Sequence, residues 1–143
     1  FMLAEAKLRT GVGAVEPDYI AAIQAAFVKF GLAAPQSLLD GKYKYPAGGT
    51  FEEKLEAIIT QKWLAMVNQG HESFFDQSRT GYPRISSVPA SDPNYVACQW
   101  TYSIEGVTSG AFPKRLIFPD VSRRVNGNTP AFVPITTKVW WHK

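Results

Sequence analysis

His71 and His142, the pair Glu72 and Asp76, and the single cysteine Cys98 are the side chains through which this 143-residue chain could do covalent or metal chemistry. The two histidines stand far apart, and neither belongs to a metal-binding spacing such as His-Glu-x-x-His. One cysteine excludes an internal disulfide framework and any multi-cysteine metal site. Ser, Cys and His fall into no recognised nucleophile motif. Glu72 and Asp76, four apart, would share one face of a helix, in the manner of a glycosidase carboxylate pair. The same two residues suit hydrogen bonds to loop backbone, or pairing with Arg79 or Arg84. The expectation is a protein that is not an enzyme and needs no metal or cofactor.

Binding without catalysis calls on other residues. Sugar rings present apolar C–H faces that stack on Trp and Tyr, while polar neighbours read the hydroxyls. Tyr43, Tyr45, Trp100 and Tyr102 stand in loop-like surroundings and are the candidate ligand-binding residues, expected to be exposed. Lys42-Tyr43-Lys44-Tyr45 alternates basic and aromatic residues. That pattern fits a stacking platform, or a short extended segment with Tyr packed on the protein and Lys in water.

The net charge of +3 hides an asymmetry: seven Lys and Arg face nine Asp and Glu up to Ser78, against eight and three from Arg79 onward. The basic residues of the tail are scattered among Pro and Gly, so solvated or internally paired charges are expected rather than a nucleic-acid surface.

The elements that must position these residues are mostly helices. Phe1 to Arg9 reads as helix ended by Gly11 and Gly13, and Pro17 fits the first turn of a second helix with apolar Tyr19, Ile20, Ile23, Phe27 and Phe30 up to Gly31. Residues 1–31 thus form a helix hairpin. From Leu32 to Gly49 no period is sustained, apart from a short turn at Gln36 to Asp40.

Residues 50–84 form the core helix hairpin. Thr50 and Glu53 make a capping box, and Phe51, Leu55, Ile58, Ile59, Met66 and Val67 give a helical period that Gly70 would end. Trp63 and Leu64 widen the apolar face, so burial along more than one side is expected. A second run from His71 to Gln77 should be broken by Arg79-Thr80-Gly81-Tyr82-Pro83. In residues 85–143 Pro and Gly recur too often for long helices, which predicts wrapping loops. Within them Tyr95 to Tyr102 reads as a short strand or turn, Arg115 to Phe118 as extended, and Asp120 to Val125 as a single turn that Asp120 can cap.

Two ordered blocks carry a resemblance. Gln61-Lys62-Trp63-Leu64-Ala65-Met66, then Asn68-Gln69-Gly70-His71-Glu72, Asp76 and Arg79-Thr80-Gly81-Tyr82-Pro83 resemble a block of SusD/RagB-like proteins. Phe112 to Pro119, Asn126 to Pro130 and the terminal Val139-Trp140-Trp141 are similar to the same family's closing segment. The resemblance implies a mainly α fold of tetratricopeptide-like helix hairpins with long ordered Pro/Gly-rich loops. It implies a framework in which Trp63, Glu72, Asp76 and Arg79 lock the last hairpin to the loops that follow, with Trp140 and Trp141 pinning the tail. No ligand residue carries over by motif.

By the same resemblance the chain is the C-terminal portion of a single SusD/RagB-like domain. The missing N-terminal portion would bear a lipid-anchoring cysteine at the outer-membrane cell surface. The implied work is non-catalytic capture of a nutrient, most often an oligosaccharide or polysaccharide, for a SusC-like TonB-dependent transporter, with no nucleic-acid partner. The competing class is a helical-repeat scaffold that grips a peptide or protein.

Overall fold

The computed structural model describes residues 1–97, 99–101 and 106–143. The chain is mainly helical and divides into two units, Phe1–Gln77 and Ser78–Lys143. Among the described residues no helix is long and apolar enough to cross a membrane.

The first unit begins with α1 (Met2–Thr10), which Gly11 ends at φ 69° while its N–H bonds the Lys7 carbonyl. α2 (Glu16–Val28) carries Pro17 in its first turn, where no N–H is needed. It closes in a double backbone bond: Leu32 N–H reaches Phe27 O and Gly31 N–H reaches Val28 O, with Gly31 at φ 72°. That is the left-handed cap glycine accommodates without a Cβ penalty. Lys7 and Asp18 meet at 2.5 Å and join the first two helices. A short α3 (Gln36–Asp40) occupies the expected turn.

α4 (Phe51–Ala65) starts at the predicted capping box. Glu53 N–H donates to Thr50 Oγ1 at 3.2 Å, and Thr50 N–H donates back to Glu53 Oε2 at 2.7 Å. These bonds hold the Glu53 carboxyl below its ordinary pKa, the backbone bond from Thr50 first and the Thr50 hydroxyl second. A depressed carboxylate stabilises the fold above its unfolded pKa, and that contribution fades as pH falls through the folded value. Thr50→Ala, which removes the hydroxyl that accepts from the Glu53 N–H, is expected to cost about 1 kcal/mol as a lost cap. It should flatten only a minor part of the acid-side fall in stability, because the backbone bond from position 50 to Glu53 remains, and melts across a pH series would show this.

Two expectations for this helix need correction. It ends at Ala65, not at Gly70: the left-handed residue is Asn68, at φ 73°, and Gly70 opens the next helix. Asn is among the few side chains that tolerate this conformation, because its short polar group bonds locally. Burial also follows one stripe. Leu55, Ile58, Ile59, Gln61 and Lys62 are buried, whereas Phe51, Leu64 and Val67 are exposed within the structure. α1, α2 and α4 pack on one another, and Ala4, Tyr19, Ile23, Leu39, Tyr45 and Ile58 form the core between them. Ala4 has no side chain beyond Cβ, which lets the helices approach.

α5 (Gly70–Thr80) runs further than the predicted 71–77 and stops where the sequence says it should. Gly81 takes φ 80°, Tyr82 and Pro83 are buried, and Tyr82 N–H is held by Thr80 Oγ1 at 3.2 Å. The second unit then contains little regular structure. β1 (Ile85–Ser86) pairs in parallel with β2 (Trp100–Thr101), in the register Ile85 with Trp100 and Ser86 with Thr101. Gly110, at φ 78°, lies where a Cβ would collide with the Ser87 carbonyl. The 115–118 run belongs to no helix or strand, and its first residue, Arg115, donates its N–H to the Ile135 carbonyl at 3.2 Å. α6 (Asp120–Val125) is the expected single turn, but Pro119 occupies the cap position. The Asp120 carboxylate instead bonds forward to Arg123 and Arg124.

Candidate functional site

A concavity of the first unit opens between the helices and the loop after α2. Its cavity volume is about 290 Å³, at the low end of ligand-sized pockets. That leaves room for one ring-sized group. Phe1, Phe27, Phe30 and Tyr43 supply aromatic walls, and Ile23, Leu38 and Leu64 supply aliphatic ones. Gln61, buried on α4, is the polar residue that reaches the lining alongside Tyr43.

Tyr43 is placed there by a bond across the core. The Tyr19 hydroxyl donates to the Tyr43 carbonyl at 2.7 Å and fixes the loop backbone against α2. Burial, with a smaller contribution from Tyr43, pushes the Tyr19 phenol up to about 12, so it stays a donor at any physiological pH. Tyr43 itself is half-buried, with the Lys42 ammonium 5.7 Å from its ring centre.

Tyr45, expected to be exposed, is buried at 6% exposure, its ring 5.3 Å from that of Tyr19. Burial first and Glu16 second raise its pKa. The alternation therefore resolves as tyrosines packed and Lys42 and Lys44 in water. Tyr45 belongs to the core and Tyr43 to the cleft edge. Trp100 lies in β2 of the second unit with 40% of its surface exposed, and Tyr102 lies outside the described residues.

The framework residues divide as well. Asp76 is buried and meets Lys62 Nζ at 2.7 Å, so the partner in this pair is the lysine of the Gln61-Lys62-Trp63 run. Glu72 is exposed on α5, so its carboxylate and that of Asp76 occupy different environments and do not make a matched pair. Trp63 and Arg79 are half-buried and engaged in contacts. Trp141 is half-buried with its ring 4.2 Å from His142, whereas Trp140 is 94% exposed and does not pin the tail through its side chain. A tight turn separates the environments of these neighbours: the His142 N–H donates to the Val139 carbonyl at 3.1 Å.

Phe27, Phe30, Leu38 and Gln61 were not foreseen as lining residues. The first two read from sequence only as the apolar period of α2; the signal that could have found them is that Phe30 falls beyond the last helical turn, beside Gly31.

No curated protein matches the chain. The family model for SusD-like proteins, described as SusD and RagB outer membrane lipoprotein, matches residues 16–141. That match takes in the core of α2 and α4, the Lys62–Asp76 pair and the closing segment through Trp141. This chain belongs to the SusD-like family.

Proposed function

We propose that this protein captures a nutrient at the outer membrane, held there as a lipoprotein, and presents it to a SusC-like TonB-dependent transporter without chemically altering it. The observation that carries the reading is the family match across residues 16–141. The cleft of the first unit supports it, because an aromatic-walled hollow with a buried amide suits the apolar face and hydroxyls of a sugar ring. The favoured nutrient is an oligosaccharide. The predominance of apolar side chains in the same cleft favours a second reading, in which the captured group is the apolar side chain of a peptide.

Calorimetric titration with neutral oligosaccharides and with apolar peptides separates the two. Saturable binding of an oligosaccharide is expected, and Tyr43→Ala should weaken it several-fold to about tenfold, the loss of one aromatic contact. Tyr45→Phe, which keeps the buried ring, should leave it unchanged. Peptide binding without sugar binding would move the protein to the peptide-capturing side of the reading, and silence toward both would remove it.

A further inference from the structure

Every residue that lines the cleft of the first unit is aliphatic or aromatic except Gln61. Gln61 sits on α4 with 7% of its surface exposed. Among the described residues its amide has no hydrogen-bond partner, yet neither the oxygen nor the nitrogen is closed off from solvent. A side chain so nearly covered, whose polar end stays open, presents that end to the hollow it lines.

That single amide restricts what can fill the cleft. A pure hydrocarbon group would leave it as a buried donor and acceptor without partners, which is costly. A plain hexose ring pushed inside has the opposite fault: it carries hydroxyls all round, each needs a partner, and one amide cannot serve them. The occupant must be small, mostly apolar and equipped with one hydrogen-bonding function. An acetamido group has that constitution. Its methyl suits walls of Phe27, Phe30 and Leu38, and its carbonyl can accept from the Gln61 Nε2–H.

The rim supplies the place for the rest of such a sugar. Tyr43 stands half-buried at the edge of the cleft, its backbone fixed by the 2.7 Å bond from the Tyr19 hydroxyl. A ring lying on Tyr43 keeps its hydroxyls in water while its substituent reaches inward.

We propose that the cleft is a subsite for an N-acetylated sugar, with the acetamido methyl seated among the aromatic and aliphatic walls, its carbonyl bonded to Gln61 and its ring on Tyr43. On the nutrient-capture reading, on which this rests, the substrate narrows to a glycan containing N-acetylhexosamine.

Calorimetric titration with triacetylchitotriose and with cellotriose tests it, because the second sugar is the first with hydroxyls in place of the acetamido groups. Triacetylchitotriose should bind about tenfold tighter or better, from one buried methyl and one hydrogen bond. Gln61→Leu, of similar volume, should remove roughly three- to tenfold of that preference. Ala26→Leu, which adds bulk to the lining, should erase it. Unchanged melting temperatures would confirm that both variants fold. In the parent protein, whatever the variants do, the side-chain amide resonances of Gln61 should shift saturably with triacetylchitotriose and stay in place with cellotriose.

Equal affinity for the two sugars overturns the acetamido subsite and leaves nutrient capture standing. So does a preference that survives Gln61→Leu, or one that leaves the Gln61 resonances unmoved, since the acetamido group is then read elsewhere. If p-cresol binds more tightly than triacetylchitotriose and shifts the same resonances, the cleft belongs to an aryl group instead. Silence toward both sugars removes the subsite together with the sugar-capture reading beneath it.

Discussion

Asp76→Ala is expected to destabilise the protein by about 3–5 kcal/mol, because it strands the buried ammonium of Lys62. The two side chains meet at 2.7 Å, with only 10% and 6% of their surfaces exposed. In water such a pair is worth little, since each ion is solvated and the attraction is screened. Here the ions have already lost most of their water, and removing one partner leaves that desolvation uncompensated. A denaturant melt of Asp76→Ala against the parent measures the loss. The doubly apolar Lys62→Met/Asp76→Leu should recover part of it, since no charge is then left stranded. A single variant as stable as the parent would show that Lys62 can reach water and that the pair is not structural.

Ile58→Ala should be nearly as damaging, at about 2–5 kcal/mol. Ile58 is fully buried on α4 and belongs to the core shared with Ala4 of α1 and with Tyr19 and Ile23 of α2. Three helices meet at that point, so no single one can shift to fill the void without uncovering the other contacts. Ile58→Val, which removes one methylene, is expected to cost about 0.5–1.5 kcal/mol. If the two substitutions cost the same in chemical denaturation, the site collapses freely and the core is looser than its burial indicates.

Local signals were legible where a single residue type decides the backbone. Thr50 and Glu53 announce the start of α4, Pro17 the start of α2, and Gly81 with Pro83 the stop of α5. The end of α4 was misread because Gly70 is the stronger generic stop, whereas the chain turns two residues earlier at Asn68, a position that tolerates Asn as well as Gly. The aromatic residues were harder for a different reason. Whether Tyr43 or Tyr45 faces the core depends on the Tyr19 hydroxyl reaching 24 residues along the chain, and nothing within the Lys42–Tyr45 run encodes that. The cleft depends on the same long-range packing, so its lining residues could be named as apolar from sequence but not assembled into a site. Trp140 and Trp141 look alike in the sequence; the turn between Val139 and His142 sends one outward and keeps the other half-buried.

The bond from Lys143 N–H to the Ser78 carbonyl, at 3.1 Å, makes the second unit a nearly closed ring of chain. A segment whose ends meet resembles an insertion: it leaves and returns at one place, so its interior can lengthen or shorten with little effect on where the chain goes next. The entropic cost of closing such a loop grows only with the logarithm of its length. Its long irregular runs are thus places where change in the chain is cheap, while Ser78 and Lys143 act as the hinge pins of a gate whose panels can be exchanged. Anything joined to Lys143 would emerge beside Ser78, near the end of α5, a natural point for tethering a label or a second module.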